Sequence, residues 1–199
     1  MKMNRYAIGT LFLILMALTA RGSFAASKLN IGDPAPQWTG IVGTDDKPHS
    51  LADFKDAKAV VVVFTCNHCP VATAYQERLV ALEKDYKDKG VQVIAICANK
   101  NPADDLDAMK KRAESAGFNF PYLFDSTQQV GRDYGAACTP HAFVLDKDRK
   151  LTYVGAIDDN MHADKVEKRH IRAALDALLD GKKPDTPVTQ PVGCKIRYE

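Results

Sequence analysis

The stretch Val60-Val61-Val62-Val63-Phe64-Thr65-Cys66-Asn67-His68-Cys69-Pro70 decides the fold. Its first five residues are all β-branched or aromatic, which predicts a strand buried on both faces, as in a parallel sheet covered by helices. Beyond it, apolar residues recur at intervals of three and four as far as Tyr86, and they predict an amphipathic helix that runs to Lys89. A Cys-x-x-Cys pair therefore lies where a buried strand enters a helix.

This position has consequences for the two cysteines. The first turn of a helix offers unpaired backbone N–H groups and a positive dipole end, and both stabilise an anion. We expect Cys66, at the mouth of the helix, to have a lowered pKa and to attack as the thiolate, and Cys69 to resolve the mixed disulfide. His68 lies between them and adds a hydrogen-bond donor or, when protonated, a positive charge that favours the thiolate.

The N-terminal segment has the form of a secretory signal peptide. Lys2 and Arg5 precede an apolar run over 7–20, and Ser23-Phe24-Ala25 supplies small residues for cleavage near Ala25. We therefore expect residues 1–25 to be removed and the protein to be periplasmic or secreted, with no membrane contact afterwards. An uncleaved membrane anchor is the alternative, although the run is shorter than the ~20 residues that a span needs.

Charge and cysteine content narrow the function classes. Three of the 27 basic residues and none of the 25 acidic residues lie within 1–25, so the rest of the chain is close to neutral. This balance offers no basic patch for nucleic acid.

All five cysteines lie beyond residue 25, and disulfides persist in an oxidising compartment. Their odd number leaves at least one thiol free or paired outside the chain.

The rest of the chain predicts one domain over 26–181 and a proline-rich tail over 182–199. A strand over Val91–Cys97 follows the first helix, so the β-α-β order predicts a parallel pair with a right-handed crossover. Two later strands flank a polar turn and should be antiparallel. The further predicted elements are a helix over 103–116, a strand over 121–124, a short helix over 127–134, strands over 142–145 and 151–154, and a helix that ends at Gly181.

These motifs together resemble a known family. A buried strand into Cys-x-x-Cys, a β-α-β unit and Thr139-Pro140 before a hairpin resemble the thioredoxin fold. The lead-in Gly32-Asp33-Pro34-Ala35-Pro36 is similar to the redoxin branch, which includes peroxiredoxins and TlpA/ResA-type exported thioredoxins. With Gly193-Cys194-Lys195-Ile196, the chain resembles a peroxiredoxin-like (AhpC/TSA-related) subgroup of exported thioredoxin-family proteins. The resemblance implies an α/β, thioredoxin-like fold, with a central mixed β-sheet flanked by helices and an N-terminal redoxin-type extension.

The resemblance also implies an activity and a substrate site. The activity is thiol-disulfide exchange with protein thiols and disulfides, supported by an upstream redox donor or acceptor and needing no cofactor. Thr139-Pro140 should carry a cis-proline that faces the cysteines and presents the Thr139 backbone to a substrate strand. The direction of electron flow stays open. His68 resembles the histidine of disulfide oxidases, whereas the redoxin-type lead-in favours reduction.

Two departures from the family leave alternatives. Val60 stands where thioredoxins carry a buried acid, and Asp125 is one candidate to replace that acid. Peroxiredoxins require Thr-x-x-Cys, whereas Thr65 has His68 at that spacing, which argues against peroxidase activity. A peroxiredoxin-like thiol peroxidase is nevertheless the first alternative function. A copper- or zinc-binding chaperone is the second, with His68, Cys138 and Cys194 as possible further ligands. We expect no metal, because no second Cys-x-x-Cys is present.

The remaining cysteines and acidic residues have structural interpretations beside functional ones. Cys97 ends a buried strand and should pack in the core. Cys138 and Cys194 are possible accessory thiols, and three interpretations stay open: the two form a disulfide that clamps the tail, Cys138 acts as a third redox thiol, or the two thiols are unrelated. The acidic run over 104–107 opens a helix and is interpreted as structural.

Overall fold

The computed structural model describes residues 29–199, so the predicted signal peptide lies outside the described residues. The strands are β1 (Ile41–Val42), β2 (Pro48–His49), β3 (Ala59–Phe64), β4 (Val91–Cys97), β5 (Tyr122–Phe124), β6 (Cys138–Thr139), β7 (His141–Leu145), β8 (Leu151–Gly155) and β9 (Cys194–Lys195). The helices are α1 (Pro70–Ala74), α2 (Gln76–Tyr86), α3 (Leu106–Ser115), α4 (Gln129–Tyr134) and α5 (His170–Leu179). Within residues 29–199, none of the helices is long and apolar enough to cross a membrane.

A five-stranded mixed sheet forms the centre of the molecule. Its strand order is β5-β4-β3-β7-β8. Strand β3 runs parallel to β4 and antiparallel to β7, and β7 and β8 form the predicted antiparallel hairpin. The prediction of a central mixed sheet flanked by helices is confirmed.

Strand β3 is buried along its whole length because both faces of the sheet are covered. Val61 and Val63 pack into a cluster that includes apolar residues of α2 and α5. Val60, Val62 and Phe64 point to the opposite face, into a cluster with residues of the lead-in and of α4. A strand that is apolar on both faces needs this two-sided cover, which explains why its sequence shows no alternation.

The helix predicted after Cys69 is divided into α1 and α2. The chain changes conformation at Tyr75, where the N–H donates to the carbonyls of Ala72 and Thr73 in a tight turn. The Thr73 hydroxyl also donates to the Cys69 carbonyl at 3.0 Å, a back-bond of the kind that bends helices. A 3-10 turn over Lys87–Lys89 follows α2, so the helical segment ends at Lys89 as predicted, and Gly90, whose φ of 89° suits glycine, precedes β4.

Both ends of the described chain lie against the sheet and its loops. The lead-in pairs with β8, at the edge of the sheet: the Gly32 N–H donates to the Leu151 carbonyl at 2.7 Å. In the tail, the Thr189 N–H donates to the Val154 carbonyl at 3.0 Å. Further along, β9 pairs with β6, so the tail reaches the cysteine pair.

Candidate functional site

The two cysteines of the motif lie at the carboxyl edge of β3, and both are fully buried. Cys66 belongs to the loop that follows the strand. Cys69 is the N-cap of α1, where its Sγ accepts the Ala72 N–H at 3.5 Å and Pro70 takes the first helical position. The helix N-terminus is therefore directed at Cys69.

The two thiols consequently differ in acidity, in the opposite sense to the expectation. Burial raises the pKa of Cys66 to about 12, and the nearby Asp104 carboxylate adds to this effect. Burial also acts on Cys69, but hydrogen bonds from Cys194 and from the Ala72 N–H bring the pKa of Cys69 below its ordinary value. The prediction that the helix lowers the pKa of Cys66 is wrong, because α1 begins only after Cys69.

Thr139 and Pro140 face the cysteine pair. The peptide bond between them is cis, as the resemblance implied. The Thr139 hydroxyl lies 3.1 Å from Cys66 Sγ, and the protonated Cys69 thiol donates to the Thr139 carbonyl at 3.2 Å. Strand β6, between α4 and β7, therefore brings the carbonyl and the hydroxyl of Thr139 to the two sulfurs.

A buried carboxylate that we interpreted as structural belongs to this site. Asp104 is fully buried, and its Oδ1 accepts the Asn67 N–H at 2.7 Å and the His68 N–H at 3.1 Å. Its Oδ2 forms an ion pair or hydrogen bond with His68 Nδ1. Asp104 therefore fixes the segment between the cysteines and orients the His68 ring.

Sequence reasoning missed Asp104 because an acidic run at a helix start also suits the helix dipole. In the structure that dipole interaction belongs to Asp105, the N-cap of α3. The missed signal was topological. Asp104 lies in the segment after β4, and Cys66 lies in the segment after β3; because these strands are parallel neighbours, both segments leave the same edge of the sheet. Asp125, the candidate replacement acid, instead accepts the Gly131 N–H at 2.9 Å beside α4.

The accessory cysteines occupy different positions. In the register of β6 and β9, Cys194 lies opposite Thr139 and Cys138 lies opposite Lys195. All five cysteines are within the described residues and all are free thiols. Cys194 contacts the cluster that contains Cys66 and Cys69, whereas the Cys138 thiol is directed to the Pro140 carbonyl at 3.7 Å. Cys97 is buried in the core, as predicted.

One group of side chains has metal-ligating atoms. Single donor atoms of Cys66, His68 and Asp104 lie within 4.8 Å of one another. Both Asp104 oxygens are already engaged, because Oδ1 accepts backbone N–H groups of the loop and Oδ2 binds the His68 ring. We interpret the group as a positioning network around Cys66.

Sequence comparison finds a family model and relatives to which this chain is similar. The family model described as Redoxin matches residues 30–174. Thiol-disulfide oxidoreductase ResA of Bacillus thuringiensis is 30% identical over 158 residues, which cover 76% of this chain and 87% of the relative.

Solved structures show the same fold. An uncharacterized conserved protein from Geobacillus kaustophilus has a TM-score of 0.79 at 39% identity, covering 87% of this chain and 94% of that chain. The thioredoxin domain of a thiol-disulfide oxidoreductase from Bacteroides vulgatus has a TM-score of 0.58 at 23% identity, covering 69% and 96%. The prediction of a thioredoxin-like fold is confirmed.

Proposed function

Because this chain belongs to the redoxin family and is a thiol-disulfide oxidoreductase, we propose that Cys66 and Cys69 are the redox pair that acts on protein substrates. The observation that carries the proposal is the meeting of both sulfurs at Thr139, beside the cis-proline. Substrate strands can pair with the backbone of such a segment and place a cysteine beside the pair.

The order of the two steps follows from the acidity of the thiols. The Cys69 thiolate attacks one sulfur of a substrate disulfide, which forms a mixed disulfide and releases the other substrate sulfur as a thiolate. Cys66 then attacks Cys69 Sγ, the Cys66–Cys69 disulfide forms, and the second substrate thiolate leaves. Two electrons pass from the pair to the substrate, and the reverse sequence oxidises a substrate dithiol.

His68 is suited to the second step. Cys66 must lose its proton to attack, and burial opposes that loss. One ring nitrogen of His68 lies within 4.8 Å of the Cys66 sulfur, and Nδ1 of the ring is bound to Asp104 Oδ2. We assign His68 the acceptance of the Cys66 proton, and Asp104 a positioning role.

The surface next to Pro140 suits an extended protein segment. A groove of about 390 Å³ runs past this proline, and Val71, Met161 and Val192 supply apolar surface to it. Met161 and Val192 are exposed large apolar residues, at 38% and 70% of their accessible surface. Apolar side chains on either side of a substrate cysteine would be buried in this groove, which favours a protein substrate.

Export is part of the proposal and rests on the sequence. The basic residues, the apolar run and the small residues near Ala25 have the order of a cleaved signal peptide. In an oxidising compartment, the pair needs a dedicated donor to stay reduced or an acceptor to stay oxidised. We therefore expect an upstream redox partner.

Single substitutions test the pair and the order of attack. Cys66→Ser and Cys69→Ser should each abolish insulin reduction, because each removes one half of the pair. Cys66→Ser should also accumulate mixed disulfides on Cys69, measured by mass spectrometry. Cys97→Ser, in the core, is the matched control. Trapping on Cys66 in Cys69→Ser would return the attacking role to Cys66, and full activity of either variant would overturn the pair.

The reduction potential of the pair decides the direction. It is measured against glutathione with the purified protein. A value of about −120 to −180 mV would place the protein with oxidases and isomerases, whereas about −270 mV would make it a reductant.

A further inference from the structure

The protein's own tail occupies the backbone to which a substrate strand would pair. Strand β9 is antiparallel to β6, with Cys194 opposite Thr139. A sheet edge has one set of free backbone groups, so the tail and a substrate strand exclude each other there. A cysteine of this chain thus lies where the substrate cysteine is expected.

Gly193 makes this close approach possible. A Cβ at this position would lie 2.0 Å from the Thr139 carbonyl oxygen and 3.1 Å from the Pro140 nitrogen. Both are backbone atoms next to the cis bond, so they cannot swing aside as a side chain would. Only glycine lets the tail backbone cross the proline at this distance.

Further contacts anchor the tail beyond Cys194. The Ile196 N–H donates to the Ala137 carbonyl at 3.1 Å, and the Tyr198 hydroxyl donates to the Ala136 carbonyl at 2.6 Å. The Gln128 side chain donates to the Arg197 carbonyl and accepts the Glu199 N–H, both at 2.8 Å. Since Thr189 is held at β8, the segment that carries Cys194 is fixed on both sides.

Cys194 packs on the cluster that contains the cysteine pair, and it lies opposite Thr139, whose carbonyl accepts the Cys69 thiol at 3.2 Å. The nearby Cys69 raises the pKa of Cys194 to about 11, and Cys194 in turn opposes the effect of burial on the pKa of Cys69. Cys138, the other accessory thiol, is directed to the Pro140 carbonyl instead. Cys194 is therefore the third thiol placed to exchange with the pair.

We propose that Cys194 is a third redox cysteine, which exchanges with the Cys66–Cys69 disulfide to form a Cys69–Cys194 disulfide. The inference rests on the proposed function of the pair, which supplies the starting disulfide. Cys194 Sγ bonds to Cys69 Sγ, the Cys66–Cys69 bond breaks, and its electron pair stays on Cys66. The proton lost by Cys194 passes to Cys66, so the exchange needs no further oxidant. Its product closes the substrate position covalently.

Peptide mapping of the oxidised full chain tests the exchange. In Cys66→Ser treated with diamide, a thiol oxidant, Cys69 should link to Cys194. Cleavage after lysine and arginine places these cysteines in separate peptides, 59–78 and 183–195, whose linked mass is diagnostic. Adding Gly193→Ala to this variant should reduce the yield of the Cys69–Cys194 linked peptide by roughly tenfold, because the alanine Cβ would displace the tail, and a displacement of about 1 Å disrupts a positioned reaction. The same variant with Cys138→Ser should retain it.

The outcomes separate the inference from the proposed function. Linkage of Cys69 to Cys138 or to another chain, or a free Cys69, would overturn the role of Cys194. If Cys66→Ser does not fold, the oxidised wild-type chain provides the readout: the linked peptide with Cys66 alkylated supports the inference, and its absence contradicts it. A different result would contradict the proposed function itself: a wild-type chain that forms no internal disulfide in peptide 59–78 and does not reduce insulin.

Discussion

Asp104 shows how one side chain organises the site at the scale of the residue. Its Oδ1 accepts two backbone N–H groups of the loop, and its Oδ2 engages the His68 ring. The carboxylate is fully buried next to Cys66, so its negative charge opposes the formation of a second negative charge there. Asp104 thus supports the geometry of the loop and contributes to the high pKa of Cys66.

Asp104→Asn should separate these two effects. Asparagine keeps an acceptor oxygen for the loop but removes the charge, so the pKa of Cys66 should fall by about one pH unit. The measurement is the pH dependence of iodoacetamide alkylation, read from peptide 59–78 in the Cys69→Ser background, where Cys66 is the only cysteine of that peptide. Asp105→Asn, at the neighbouring exposed helix cap, is the control and should leave the alkylation profile unchanged. An unchanged profile in Asp104→Asn would contradict the electrostatic role.

At the same scale, the sequence predicted which candidate residues lie together better than it predicted their environment. Cys66, Cys69, His68 and Thr139 lie together as the motif and the resemblance predicted. The relative acidity of the two thiols depends on where α1 begins and on contacts from the tail. Propensity does not fix a helix start to within three residues, and no local signal joins position 69 to position 194.

At the scale of the element, β7 carries a buried histidine next to the site. His141 follows Pro140, its Nδ1 accepts the Ala137 N–H at 3.2 Å, and its ring centroid lies 4.5 Å from that of Phe143. Burial lowers the pKa of His141 from 6.5 to about 4. The ring is therefore neutral in the folded protein at pH values where the unfolded chain would hold a proton.

This difference predicts a pH-dependent loss of stability. Below pH 6.5 the unfolded chain takes up a proton on His141 that the folded chain refuses, so the free energy of unfolding falls as the pH drops towards 4. Between pH 7 and pH 4 the contribution is about 3 kcal/mol. Urea unfolding of the wild type and of His141→Asn at both pH values measures this contribution, because the variant should lose less stability than the wild type on acidification. His162→Asn, at an exposed position, should behave as wild type, and equal losses in all three proteins would refute the assignment.

The elements themselves were predictable where pattern and packing agree. Strands β3 and β4 are continuous apolar runs in the sequence and are buried in the sheet. The division between α1 and α2 was missed, because apolar spacing continues through Tyr75 while the bend comes from a side-chain hydrogen bond of Thr73. Strand β9 was also missed, since two residues between prolines and a chain end carry no periodicity.

At the scale of the whole molecule, the tail is part of the fold. Ile196 is buried in the same cluster as Val60, Val62 and Phe64 of the central strand. The tail also covers the cysteine pair, because Cys194 packs on the cluster that contains both sulfurs. Stability and access to the site are therefore coupled: a change that releases the tail should also open the thiols to solvent.

Ile196→Ala tests this coupling. Truncating a buried isoleucine should lower the free energy of unfolding by about 3 kcal/mol, measured by urea titration. Because part of that loss falls on the contact between the tail and the domain, iodoacetamide should also alkylate Cys69 faster in the folded variant. Val192→Ala, in the same tail but 70% exposed, is the matched control and should change stability by less than about 0.5 kcal/mol and leave alkylation unchanged. Unchanged stability in Ile196→Ala would show that the tail is not part of the cooperative unit. Lower stability without faster alkylation would show instead that the tail stays on the cysteines until the whole domain unfolds.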